Sequence, residues 1–158
     1  MEANHIEKMS EQERIDFVVS TYNKSLKILS STLESKITDD QISFDMFMII
    51  HFIAKAGDGN ITLSEIAEKQ YVTKSAVSRK VGILLDLGYI DQVTDRVDRR
   101  KKYLLLTQMG RSMYKQNEAR FDKMLSAISS DYGGNNFMLT LQHINQILEI
   151  IKKSNRGL

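Results

Sequence analysis

The 158-residue sequence contains no cysteine. A disulfide framework, a thiolate zinc site, an iron–sulfur cluster and a thiol nucleophile or redox switch are therefore all excluded. Proline is absent too, so nothing of that kind interrupts a long helix. Hydrophobic runs are short: the best, Met46 to Ile50, stops at His51, far below the ~18–20 apolar residues that span a bilayer. The first eight residues carry no apolar stretch behind a basic start, so a secretory signal peptide is not expected. Signatures of catalysis are equally sparse. His5, His51 and His143 are scattered, and there is no His-x-x-x-His pair, phosphate-binding glycine loop or nucleophile elbow. These absences predict a soluble, cytoplasmic protein that is not an enzyme, with no metal site, no cofactor and no membrane partner.

What is present is an ordinary globular composition, 42% hydrophobic and 27% charged, at a length that fits one domain spanning 1–158. The charge is unevenly placed. Residues 74–102 hold the cations Lys74, Arg79, Lys80, Arg96, Arg99, Arg100, Lys101 and Lys102 against Asp86, Asp91, Asp95 and Asp98. That segment carries +4, which leaves −2 for the remainder of a chain whose net charge is +2. A confined basic segment in a mildly acidic chain has the pattern of a polyanion-binding face.

Local signals order the chain. Ser10-Glu11-Gln12-Glu13 fits a capping box. After it, Ile15, Val19, Tyr22, Leu26, Leu29 and Leu33 recur at alternating spacings of four and three, giving one apolar seam along a helix of about seven turns. Ser43 caps a helix apolar nearly all round (Phe44, Phe47, Met48, Ile49, Ile50, His51, Phe52 and Ile53), which must be central. Gly57-Asp58-Gly59-Asn60 is a turn, and Thr62-Leu63-Ser64-Glu65 opens a short helix to about Lys69. Thr73 caps the next helix, closed by a left-handed Gly88. Two short strands, Tyr89 to Thr94 and Lys102 to Leu106, flank a charged loop. Thr107 caps a long helix ending near Gly133-Gly134, and Phe137, Leu141, Ile144, Leu148 and Ile151 form a second seam. The predicted fold is mostly α (α+β), a helix-turn-helix followed by a hairpin.

At 100° per residue, Val77, Val81 and Leu84 fall on one side of the helix after Thr73, while Ser75, Ser78, Arg79 and Gly82 lie opposite. Ser75 and Ser78 are short donor–acceptors and Arg79 can fork onto a guanine edge; Lys74 and Lys80 flank them and suit phosphates. The two terminal seams carry more apolar length than a monomer of this size needs. Pairing Ile15, Val19 and Tyr22 with Leu141, Ile144, Leu148 and Ile151 across two chains would bury both. His51 lies on a stripe with Phe44, Phe47 and Phe52, where a satisfied core histidine is expected rather than a metal ligand.

Four segments, Thr62 to Glu68, Val72 to Arg79, Leu84 through Ile90, and Asp95-Arg96-Val97-Asp98-Arg99-Arg100 through Leu104-Leu105-Leu106-Thr107, together resemble the MarR (multiple antibiotic resistance regulator) family. The resemblance implies a bacterial transcriptional regulator, in general a repressor, that binds double-stranded DNA as a homodimer. Residues 10–40 and 108–155 would then supply the dimerisation helices, and 43–107 the winged helix-turn-helix lobe. Thr73, Lys74, Ser75, Ser78, Arg79 and Lys80 would meet DNA from the recognition helix, and Arg96, Arg99, Arg100 and Lys101 from the wing. Asp98 would brace the wing by pairing with a neighbouring arginine. A small-molecule effector would bind a cleft lined by Tyr22, Phe44, His51 and Met113. The sequence departs from the family at Gln70-Tyr71, where a leucine and a glycine are usual, and at Ile83 and Leu87, usually polar. The competing reading is a winged helix that meets an acidic protein partner without reading DNA.

Overall fold

Helix caps written in the sequence set the element boundaries. The computed structural model describes residues 9–37, 41–57 and 59–154. Ser10 and Glu13 exchange the bonds of a capping box, with Ser10 N–H donating to Glu13 Oε2 at 2.8 Å and Glu13 N–H to Ser10 Oγ at 3.3 Å. They open α1, Glu11–Ile37. Ser43 Oγ accepts from Met46 N–H at the start of α2, Phe44–Ala56. Thr62 and Glu65 form the second capping box, at α3, Leu63–Lys69. Thr73 caps α4, Lys74–Asp86. Each such cap stabilises its helix by ~1 kcal/mol. Asp58, in the turn after α2, lies outside the described residues.

The hairpin follows. Strands β1, Ile90–Thr94, and β2, Lys102–Leu106, pair antiparallel from Ile90 opposite Leu106 to Thr94 opposite Lys102. A single bridge between Thr62 and Tyr103, with Leu104 N–H donating to Ile61 O at 2.9 Å, ties β2 to the entrance of α3. Then come α5, Gln108–Tyr132, and α6, Gly134–Ser154. Among the described residues no helix is long and apolar enough to cross a membrane.

The chain divides into two compact units, with the boundary within α5 between Asn117 and Glu118. The first holds the core. Phe47, Ile49, Ile50 and Ile53 of α2 are buried together with Ile61, Ile66, Val77, Val81, Leu84, Ile90 and Leu104, and each such side chain contributes ~1.5–3 kcal/mol of transfer free energy. The second is built from the rest of α5 and from α6, joined at Gly133, whose φ is +87°. A cleft of about 570 Å³ lined by Leu125, Ser129, Phe137 and Met138 lies within it.

One junction in the first unit depends on a glycine. Thr107 Oγ1 donates to Gly88 O at 2.7 Å and accepts from Gly110 N–H at 3.0 Å, capping α5 against the end of α4. This brings Gly110 so close to the backbone that a Cβ there would lie 1.9 Å from Tyr89 O. Gly110→Ala should therefore lower stability by about 2 kcal/mol, with Thr107→Ala costing ~1 kcal/mol. Both are read as a lower urea midpoint at unchanged slope.

Candidate nucleic-acid interface

Helix α4 is amphipathic in the sense its sequence predicts. Val77, Val81 and Leu84 are buried to 3% exposure or less, and the opposite side presents Lys74, Ser75, Ser78 and Arg79 to solvent. Thr73 Oγ1 accepts from Ala76 N–H and lies 3.0 Å from Ser75 Oγ, so it orders the first turn of the exposed face. A Cβ at Gly82 would meet nothing within 4 Å, which leaves the backbone open to close approach at that point. Ile83 is 47% exposed on the same helix and Leu87 half-buried. Lys80 differs from its neighbours. Its ammonium pairs with Asp45 Oδ2 at the start of α2.

The turn between α3 and α4 has the hydrogen bonds of a Schellman motif. Tyr71 N–H donates to Glu68 O at 3.1 Å and Val72 N–H to Ala67 O at 3.0 Å. The residue at its left-handed position is Tyr71, with φ +54° and 82% exposure. The end of α4 repeats the motif with Gly88 at φ +71°. The departure Gln70-Tyr71 thus keeps the turn and adds backbone strain.

The wing is held by two aspartates. Asp95 Oδ1 accepts from Val97 N–H at 2.8 Å and Asp98 N–H at 2.7 Å. Asp98 Oδ1 accepts from Arg100 N–H at 3.1 Å, and its carbonyl accepts from Lys101 N–H at 2.9 Å. Asp98, which the resemblance pairs with a neighbouring arginine, receives the backbone amide of Arg100. Asp95 was not among the residues picked from sequence, although an aspartate whose oxygen meets the amide two residues on is the ordinary Asx-turn signal. Its partners hold its carboxyl below the usual carboxylate range, the Asp98 N–H first and the Val97 N–H next, with the Lys101 charge adding to them. Arg96, Arg99, Arg100 and Lys101 are all exposed around this turn, and Val97 at its tip is 96% exposed. Arg100 and Lys101 also border a cleft of about 510 Å³ with Thr62, Ser64, Glu65, Gln92 and Tyr103.

The remaining candidates fall in two places. Phe44 and His51 join an aromatic cluster in which Phe47 stacks on Tyr114 with ring centres 6.0 Å apart, and His51 Nδ1 lies 3.2 Å from Tyr114 Oη. Tyr114, also unanticipated, anchors that cluster, and Met113 is buried beside it in sequence. Tyr22 stands on α1 at 62% exposure. The seam residues Ile15, Val19, Leu141, Ile144, Leu148 and Ile151 are each 40–54% exposed. No group of three or more histidines and carboxylates among the described residues is placed to hold a metal ion.

A helix-turn-helix whose second helix shows a polar, cationic outer face, followed by a braced basic hairpin, defines a winged helix-turn-helix protein. Comparisons with known proteins agree. Residues 41–101 match the model of the MarR family. The HTH-type transcriptional regulator TcaR of Staphylococcus aureus is 27% identical over 142 residues, 89% of each chain. Among solved structures, Staphylococcus aureus MarR in complex with salicylate and kanamycin is 25% identical with a TM-score of 0.67, covering 92% of this chain and 95% of that one. Streptococcus pneumoniae FabT in complex with DNA superposes with a TM-score of 0.68 at 24% identity, over 91% and 99% of the two chains. Residues 41–101 are thus similar to the MarR family, and the longer matches are to HTH-type transcriptional regulators and to MarR-type winged helix-turn-helix structures.

Two predictions follow from the turn geometries. Tyr71→Gly should raise stability by about 1 kcal/mol by removing the left-handed strain, whereas Gly88→Ala should lower it by a similar amount; chemical denaturation of both variants checks the pair. For the wing, a depressed carboxyl contributes stability above its unfolded value that is lost as pH falls through the folded value. Amide-exchange protection of Val97 and Asp98 should therefore be present above the ordinary carboxylate value and fade as the pH falls below it.

Proposed function

We propose that this chain is a repressor that binds a pseudo-palindromic duplex operator as a homodimer and is released by a small-molecule effector. The observation that carries the DNA reading is the joint exposure of Ser75, Ser78 and Arg79 on α4 and of four cations on a wing tied by Asp95. The polar face of α4 fits a major groove, with Arg79 and the serines at base edges and Lys74 at phosphate. Arginine favours the narrow, electronegative minor groove of A·T-rich DNA, so Arg100 would enter the groove and Arg96, Arg99 and Lys101 would hold flanking phosphates.

Dimerisation is supported by the seams. Residues such as Val19 and Leu148 remain more than half exposed in the single chain, an apolar surface that a second copy would bury. In this arrangement 10–40 and 108–155 dimerise and 43–107 form the DNA-binding lobe. Two-fold symmetry then places half-site centres about one helical turn, ~10 base pairs, apart. A small molecule held near Tyr22, Phe44, His51 and Met113 would favour a dimer whose recognition helices no longer match successive grooves. It acts only through differential affinity for the two states; the salicylate complex of the Staphylococcus aureus relative supports a ligand of this size.

Titration against DNA from upstream of the protein's own gene, with a shuffled duplex as competitor at ~0.15 M salt, should give a preference of ~10³ or more. Equal affinity for both duplexes would contradict operator recognition, and binding to neither would favour an acidic protein partner. Arg100→Ala should weaken the specific complex about tenfold or more without changing the oligomeric state; unchanged affinity would remove the wing from the interface.

A further inference from the structure

We propose that Asp45 is an intramolecular competitor for Lys80, withholding one recognition-helix cation from the DNA phosphates and so setting the protein's affinity for duplex DNA. The inference rests on the DNA-binding reading above. From sequence Lys80 belongs with the phosphate contacts, next to Arg79 on α4. In the folded chain its ammonium is instead engaged by Asp45 Oδ2, 35 residues away. Asp45 is held in position independently of that bond, because Gln70 Nε2, in the helix-turn-helix turn, donates to the Asp45 carbonyl at 3.2 Å. Nor is Asp45 needed to cap α2, since Ser43 does so. The backbone of Asp45 is therefore anchored beside the basic face, and its carboxylate reaches the Lys80 ammonium from there.

The pair is accessible to a polyanion. The Lys80 side chain is 29% exposed and that of Asp45 66%. An ion pair so placed is weak and screened by salt, so it is breakable. Each phosphate that a cation neutralises contributes about −0.9 to the slope of log K against log salt. For as long as Lys80 stays paired with Asp45 it neutralises no phosphate and adds nothing to that slope, and the carboxylate opposes the incoming phosphates. Removing the carboxylate frees the lysine and removes the repulsion together.

The test measures salt slopes with a fluorescent duplex of about 30 base pairs, enough for one dimer, and with the full-length chain. Asp45→Asn should tighten binding about three- to tenfold at ~0.15 M salt and steepen the slope by about 0.9. Lys80→Gln in the otherwise unchanged chain should alter the slope by less than half that amount, and the double variant should return to the starting slope. A full loss of about 0.9 on Lys80→Gln alone, or an unchanged slope and affinity on Asp45→Asn, would overturn the proposal. Thermal melting checks that Asp45→Asn folds; should it not, Lys80→Gln alone still decides. Absence of duplex binding by every form, the unmodified chain included, would overturn the DNA-binding reading and this inference with it.

Discussion

Helix α2 cannot be left uncovered on any broad side. Phe47, Ile49, Ile50 and Ile53 cover most of its circumference and all are buried. The chain meets that demand by laying α1, α4 and β2 against it. The consequence for function is geometric. Once Val77, Val81 and Leu84 of α4 are committed to this core, the residues on the opposite side of the helix have no choice but to face outward, and among them are Ser75, Ser78 and Arg79. Likewise, Leu104 and Leu106 of β2 turn inward and carry the basic loop to the far end of the hairpin. The surface proposed to meet DNA is thus a product of apolar burial on the opposite side of the same elements.

Charge is then arranged on this scaffold by short-range bonds. Asp95 spends its carboxylate on two backbone amides of the wing, which orders the loop and leaves the surrounding arginines exposed. Asp45 instead holds a lysine side chain. Two acidic residues near one basic face therefore act in opposite directions, one shaping the cationic surface and the other reducing it. The 27% charged composition conveys neither role.

The elements legible in the sequence are those encoded locally. Ser10, Ser43, Thr62, Thr73 and Thr107 each meet an amide three residues on, and such chemistry can be read without knowing the fold. Gly88 at its left-handed position and the hairpin between Ile90 and Leu106 are of the same kind. Features that depend on distant backbone were not legible. Nothing near Gly110 in sequence announces the Tyr89 carbonyl against which it packs, and Asp45 and Lys80 meet only because α2 and α4 pack together. Tyr114 joins His51 across 63 residues. Tyr71 is an intermediate case: the departure from glycine was visible, but whether the turn would change or the tyrosine would accept a positive φ depended on the energy of the whole motif. Asp95 is legible in principle, since the amide it meets lies two residues on, but the cations around it dominate the charge pattern of the loop.

In the proposed complex two copies of this surface read duplex DNA, with α4 in the major groove and the wing in the adjacent minor groove. Hydroxyl-radical footprinting on the upstream fragment tests it at nucleotide resolution. A two-fold symmetric pattern is expected, with two protected half-sites centred ~10 base pairs apart and outer minor-groove protections that vanish for Arg100→Ala. A single asymmetric footprint, or outer protections that survive loss of Arg100, would contradict it.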